Sequence, residues 1–232
     1  MTAAIGKSAL IIGASRGLGY ALAAEYLARG WQVTATARGA GRTGLHDLAR
    51  SSDGRLVVEA VDITLPEQVA ALHDRLAGKF DLLFVNAGVT NDPEETVADV
   101  PTETFVRLMV TNALSPMRVI EALQDLVAPD GTIGVMSSGQ GSVANNDKGG
   151  FEIYRASKSA LNQLMRSFAA RHSGDPRTLL LMAPGWVQTD LGGAAAPLTI
   201  SQSIPGVVDT IQAQAGKGGL RYLDYRGQTV RW

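Results

Sequence analysis

No cysteine occurs anywhere in the 232 residues. That absence removes disulfide frameworks, cysteine-ligated zinc and thiol nucleophiles from consideration. An excess of either charge is missing too: 21 Lys and Arg stand against 22 Asp and Glu, a formal net charge of −1. Such a balance supplies no global field to draw in nucleic acid or an anionic membrane surface. No stretch reaches the roughly 18 apolar residues of a membrane span. Met1 to Lys7 lacks the basic flank, apolar run and small-residue cleavage site of an export signal. The expectation is a soluble, cytoplasmic protein without a metal site, and at this length one domain, or two small ones, can bury a sufficient core. What the chain has in quantity is glycine, 26 residues without a repeat or low-complexity tract, so their placement matters.

The short apolar run 8–12 stops at Gly13 and reads as a buried parallel strand. Behind it, 17–29 spaces Leu18, Ala21, Leu22 and Tyr26 as a helix does, and Gly30 closes it. Further strands are expected at 31–37, 55–61, 81–85, 132–136, 178–182 and 220–223. Helices are expected at 17–29, from Thr64 to about Ala77, from about 102 to 128, at 151–172 and at 200–214, with a short one after the second strand. The Thr64-x-x-Glu67 capping box and Pro66 mark one helix start. Strands alternate with helices and no linker divides the chain. These features predict an α/β fold, a single Rossmann domain over 1–232 with a doubly wound, mostly parallel seven-stranded sheet and helices on both faces. Ligands of such sheets bind beyond the carboxyl ends of the strands, where chemistry is to be sought.

Gly13-Ala-Ser-Arg-Gly17-Leu-Gly19 lies between the first strand and its helix. A pyrophosphate would meet the helix N-terminus there, with glycines admitting it close to the backbone. Ser15, Arg16 and Leu18 within the loop are candidate cofactor contacts beside Gly13, Gly17 and Gly19. At the end of the second strand an acidic residue would select NAD and a basic one a 2′-phosphate. The sequence there is Thr36-Ala37-Arg38; Arg38 and Arg16 could bracket that phosphate, which favours NADP(H) over NAD(H). Asp62 could accept from the adenine amine or close its own turn, and Ile63 is its neighbour at the cofactor. Asn86-Ala87-Gly88 after the fourth strand lets the chain pass the adenine ribose or forms a plain turn.

Tyr154-Arg-Ala-Ser-Lys158 places a phenol and an ammonium on one helix face. A cation beside a tyrosine lowers its pKa and makes it a usable acid and base near neutrality. The fifth strand delivers Ser138 to the same edge. Together with Asn112, Pro184, Gly185 and Thr189, in this order and spacing, these residues resemble the short-chain dehydrogenase/reductase family over essentially the whole chain. The resemblance implies an oxidoreductase in which Tyr154 exchanges a proton with the substrate oxygen and Ser138 hydrogen-bonds it. It further implies that Lys158 binds the nicotinamide ribose and depresses the Tyr154 pKa, and that Asn112 holds a water in a proton relay. Pro184, Gly185, Val187 and Thr189 would face the nicotinamide. Ser138 is preferred to Ser137 because the family's serine is usually the second of such a pair.

Pro116 has no N–H, so the carbonyl of Asn112, four residues earlier, loses its helical partner, in agreement with the relay role. Ile12 stands where much of the family has threonine, and removes a polar tie between the glycine loop and the Asn86 turn. The chain's later part, from Pro184 to Gly193 and from Leu223 to Trp232, looks like the branch of sniffer-like carbonyl reductases and C-factor-like proteins.

The uncharged segment 191–200 is expected to form a substrate lid. Gln140, Ser142, Val143, Asn145 and Trp186 are candidate walls, with Lys148 and Arg155 pointing to solvent. The pocket then suits a neutral ketone or aldehyde. NAD(P)-dependent alcohol oxidation and an NADP(H)-binding signalling or sensor role are the alternatives. A homodimer or homotetramer through the two long helices is consistent with the resemblance.

Overall fold

The computed structural model describes residues 6–39 and 41–232. Residues 1–5, part of the segment read for an export signal, lie outside the described residues. Seven strands appear in chain order: β1 Ser8–Ile12, β2 Gln32–Ala37, β3 Leu56–Ala60, β4 Phe80–Val85, β5 Val127–Met136, β6 Thr178–Ala183 and β7 Gly219–Asp224. The helices are α1 Gly17–Ala28, α2 Gly44–Arg50, α3 Pro66–Arg75, α4 Thr102–Met109, α5 Ser115–Leu123, α6 Glu152–Arg171 and α7 Ile200–Gln214. The sheet order is β3-β2-β1-β4-β5-β6-β7 and every neighbouring pair is parallel. This is one Rossmann-like sheet, wholly parallel where a mostly parallel one is expected from the sequence.

Strand side chains alternate between two cores, which explains why β1 reads as unbroken apolar sequence. Leu10, Ile12, Leu83, Val85, Ile133, Val135, Leu179 and Leu181 pack on one face with residues of α3, α5 and α6. Ala9, Ile11, Leu82, Phe84, Leu180 and Met182 pack on the other with residues of α1 and α7. Each fully buried Leu, Ile or Phe contributes roughly 1.5–3 kcal/mol, so the inner strands are the rigid base of the molecule. Gly134 makes room in this base: a Cβ there would sit 2.6 Å from the Phe84 ring. Between β1 and β4 the order of strands reverses, opening a crevice at their carboxyl ends.

Two expectations are corrected. The Thr64–Glu67 capping box does not form: α3 begins at Pro66 with Leu65 as its N-cap and no side-chain cap. Thr64 lies too far outside that helix, and its hydroxyl and N–H both go to Asp62 Oδ1, at 2.7 and 2.9 Å. The long helix of 102–128 is likewise not uniform. It runs as α4, then a π-helical turn Val110–Leu114, then α5, with a short 3₁₀ turn after it. Pro116 supplies the cause, because a missing N–H near the start of α5 favours a wider turn before it. Among the described residues no helix is long and apolar enough to cross a membrane.

Candidate active site

The β1–α1 turn is built for close approach. Gly13 has φ +85°, and a Cβ there would lie 2.8 Å from the Ala87 nitrogen; at Gly19 it would lie 2.1 Å from the Gly13 carbonyl oxygen. Helix α1 starts after an extended Arg16 with no side chain capping it, so its first N–H groups keep their capacity for an anion. The cradle and the bare helix start fit a dinucleotide pyrophosphate. Asn86 fastens this turn from below, its Nδ2 donating to the Gly13 carbonyl at 3.0 Å and its N–H to the Ile12 carbonyl at 2.8 Å. Thr36 Oγ1 accepts from Gly13 N–H at 2.9 Å. Ile12 itself adds no side-chain tie, being buried in the core, so Asn86 and main-chain groups carry the connection between the two turns.

Ser15, Leu18 and Gly17 line the same turn in partly buried positions. Arg38 is exposed at the end of β2. Burial acts to raise the Asp62 carboxyl, but the two Thr64 hydrogen bonds and the Arg38 charge outweigh it and hold that group below its ordinary value. Asp62 thus closes its own turn, beside Ile63, which is buried. The Arg16 guanidinium pairs with Asp190 at 3.2 Å, both side chains 78% exposed, linking the glycine loop to the segment after β6. Thr189 faces the same loop, with a Gly17 Cβ position 4.0 Å from its Cγ2.

Four side chains expected to react converge at the ends of β4 and β5. Tyr154 and Lys158 stand one turn apart on α6. Lys158, 3% exposed, donates to the Met136 carbonyl at 2.9 Å, and its Nζ lies 5.8 Å from the centre of the Tyr154 ring. Gly88 closes the group, since a Cβ there would be 3.4 Å from Asn112 Oδ1 and 3.5 Å from Lys158 Nζ. Asn112 is fully buried: its amide accepts from Val89 N–H and donates to the Val89 carbonyl, both at 2.8 Å, and donates to Ser157 Oγ at 2.9 Å. With the side chain so committed, its main-chain carbonyl, in the π-helical turn just before Pro116, is the group that the relay expected from the sequence would use.

Ser137 and Ser138 separate clearly. Ser137 is buried and donates to Asn162 Oδ1 at 2.6 Å; Ser138 is partly exposed, accepts from Gln140 N–H at 3.2 Å and lies beside the Tyr154 hydroxyl. Burial pushes the Tyr154 phenol up to about 12, the Ser138 hydrogen bond opposing it and Tyr222 adding to the rise. Burial likewise brings Lys158 down to about 8. In the cofactor-free protein desolvation is thus the largest influence on both groups.

Around the reacting group, Trp186 is 52% exposed and donates from its indole to the Gly192 carbonyl at 2.7 Å. Segment 191–200 folds back on it, with Leu198 bridging Val187. Pro184 accepts from Ser203 Oγ at 2.6 Å, and Gly185 has φ +84° with Leu198 against it. Val143, Asn145 and Lys148 are exposed, while Ser142 is buried and caps the following turn at Asn145. Arg155 folds back to the Gly150 carbonyl at 2.8 Å. Ser157, Asn162, Tyr222 and Asp190 were not singled out in the sequence. Asn162 continues the Tyr154–Lys158 stripe at the next four-residue step, a signal that could have found it; Tyr222 carries none. A separate cleft of about 260 Å³, lined by Lys7, Trp31, Asp81 and Asp130 among others, opens at the amino-terminal ends of the central strands, away from this chemistry.

A parallel sheet with a glycine cradle at its switch point and a Ser, Tyr, Lys and Asn gathered beside it defines a nicotinamide-type oxidoreductase. The sequence profile of the short chain dehydrogenases matches residues 7–197, and the chain belongs to that family. It is 60% identical to a Burkholderia multivorans protein described as a short-chain dehydrogenase/reductase and solved with bound NADP, over 98% of this chain and all of that one, with a TM-score of 0.96. A carbonyl reductase from Pseudomonas aeruginosa PAO1, solved in complex with NADP, is 38% identical over 98% of this chain and all of that one, with a TM-score of 0.90. The C-signal protein of Myxococcus xanthus is 34% identical over 67% of this chain and 94% of its own length.

Proposed function

We propose that this oxidoreductase is an NADPH-dependent carbonyl reductase acting on a neutral ketone or aldehyde. The observation that carries this is geometric: the buried Tyr154 phenol lies beside the Ser138 hydroxyl, with Lys158 one turn further along α6 and Asn112 closing the group at Gly88. At neutral pH that phenol is protonated, which is the state a general acid needs. A nicotinamide held by the glycine cradle and the Pro184–Thr189 segment would supply the hydride that the carbonyl carbon needs. Tyr154 gives its proton to the carbonyl oxygen, which thereby becomes the alcohol, while Ser138 donates a hydrogen bond to that oxygen and fixes its position. Lys158, with a pKa of about 8, is mostly charged at neutral pH; it holds the nicotinamide ribose and favours the phenolate left behind. Solvent returns the proton by way of a water on the Asn112 main-chain carbonyl.

The glycine loop and α1 N-terminus hold the pyrophosphate, Asn86, Ala87 and Gly88 pass along the adenosine side, and Pro184 to Thr189 flank the nicotinamide. NADP(H) is favoured over NAD(H) because Arg38 ends β2 where a carboxylate would bind an unphosphorylated ribose. The relatives solved with NADP support the same choice. Trp186, Gln140 and an uncharged lid support a neutral substrate.

The test is loss of NADPH absorbance with a panel of ketones and aldehydes, in the parent and in Tyr154→Phe. We expect turnover in the parent and its loss in the variant. Turnover that survives in Tyr154→Phe refutes the acid, and tight NADP(H) binding without turnover on any carbonyl favours a sensing role instead.

A further inference from the structure

Ser138 rides on a slender support. The 3₁₀ turn Gly139–Gly141 that follows it is rich in glycine, and nothing lies within 4 Å of a Cβ position at Gly139. Packing holds only the far end of this turn, where Gly141 is buried against Lys158 and Asn162 of α6. Nearer the serine, hydrogen bonds hold it, and they come from three directions.

From α6, Asn162 reaches both sides of the serine. Its Oδ1 accepts from Ser137 Oγ at 2.6 Å, and its Nδ2 donates to the Gly141 carbonyl at 3.1 Å, where Ser159 Oγ also donates at 3.0 Å. From within the turn, Gly141 N–H donates to the Ser138 carbonyl at 2.9 Å. From β7, the Tyr222 hydroxyl donates to that same Ser138 carbonyl. Tyr222 is 1% exposed, and burial raises its phenol, so it remains a donor.

Tyr222 is itself braced. Its carbonyl accepts from Val230 N–H at 2.9 Å, and its ring packs on Trp232 with centroids 5.6 Å apart. Arg166 of α6 covers the other ring at 4.7 Å. The returning segment then grips the loop beyond Ser138: Ala144 N–H donates to the Trp232 carbonyl at 2.9 Å, and Arg231 Nε donates to Asn145 Oδ1 at 2.8 Å.

We infer that Tyr222 is a positioning residue for the reduction: its hydroxyl, held by the returning segment, fixes the main chain of Ser138 and so the place of the serine hydroxyl beside Tyr154. This rests on the carbonyl-reductase reading for its chemical consequence, though not for its geometry. Small displacements of a group that orients a reacting atom are costly in rate, far more than in stability. Tyr222→Phe keeps the ring and its packing and deletes the hydroxyl, which donates to the Ser138 carbonyl and also meets the Asn162 and Ser137 side chains. The Ser138 carbonyl keeps Gly141 N–H, and Ser137 and Asn162 keep their own hydrogen bond, so the support loosens without being dismantled.

The experiment is a double-mutant cycle of Tyr222→Phe and Ser138→Ala in NADPH-linked ketone reduction, together with amide hydrogen exchange of the peptides spanning 138–146. With Ser138 present, Tyr222→Phe is expected to lower kcat about tenfold. NADPH affinity is expected to stay within about twofold and the thermal midpoint within about 3 °C. In the Ser138→Ala background the same change is expected to do almost nothing, and exchange is expected to quicken only in 138–146. Equal falls in both backgrounds, or an unchanged kcat, would overturn the inference. Hydrogen exchange needs no turnover, so it separates the two readings: a parent inactive on every carbonyl removes the reductase, whereas unchanged exchange in Tyr222→Phe removes the positioning contact.

Discussion

Replacing Lys158 by methionine should make the cofactor-free protein more stable at neutral pH, although the proposed reaction needs that lysine. The ammonium is 3% exposed and has one protein acceptor, the Met136 carbonyl at 2.9 Å. Burial lowers its pKa from the ordinary 10.5 to about 8. At roughly 1.4 kcal/mol per tenfold change in proton affinity, holding the charge in the folded state costs about 3 kcal/mol. Below pH 8 folded and unfolded chains are both protonated, so the whole cost is present. Between about 8 and 10.5 the folded state releases its proton first, the unfolded state binds more protons, and stability rises with pH. Lys158→Met removes the charge at similar length but leaves the Met136 carbonyl without its donor, a loss of about 1 kcal/mol. A net gain of about 2 kcal/mol at pH 7 follows, or roughly 4–8 °C in Tm for a chain of this size. Thermal unfolding followed by circular dichroism from pH 6 to 10.5, without cofactor, should show a gap that is constant up to about pH 8 and closes above it. A variant less stable than the parent at pH 7, or a gap indifferent to pH, would refute the desolvation account.

Gly19→Ala would bring a Cβ to 2.1 Å from the Gly13 carbonyl oxygen and 2.7 Å from Asn86 Nδ2; the cradle must shift, and NADPH affinity by fluorescence titration should fall at least about 100-fold, about 3 kcal/mol. Asn112→Ala strips two hydrogen bonds from Val89 and one from Ser157 at a fully buried site. It should cost about 3 kcal/mol in urea unfolding with the slope unchanged. Arg38→Ala should weaken NADPH binding about tenfold and leave NADH binding nearly unchanged; equal losses for both cofactors would remove Arg38 from the phosphate site.

Much of the architecture was legible because the physics behind it is local. Buried parallel strands must be apolar on both faces, so 8–12 and 178–182 stood out as runs, and α7 could be bounded at Ile200 and Gln214 from its pattern. The separation of Ser138 from Ser137 was readable only through the family, since either hydroxyl could follow a strand; the fold decides between their environments by burying Ser137 against Asn162. What was not legible depends on partners distant in sequence. Thr64 looked like a cap because its spacing to Glu67 is right, yet Asp62 two residues away competes for the same hydroxyl. Arg16 likewise finds a partner, Asp190, that no local spacing points to.

The Tyr154–Lys158 pair shows what spacing leaves open, and the cause is general. A four-residue offset correctly places an ammonium near a phenol, but sequence spacing says nothing about how dry the place is. Proximity would lower the phenol and keep the amine high; burial does the reverse to each, and here burial prevails, at about 12 and about 8. Both groups are thereby pushed toward their neutral forms in the cofactor-free protein. A protonated tyrosine is what reduction requires, and a lysine near 8 is the group most easily changed by new neighbours, because small gains in solvation or hydrogen bonding restore its charge. Hydroxyl acceptors placed at Lys158 would raise it, and its recovered charge would then lower Tyr154. The directing effect assigned to the Tyr154–Lys158 pair is thus expected of the cofactor-bound site, while the free protein carries the strain of two polar groups held out of water.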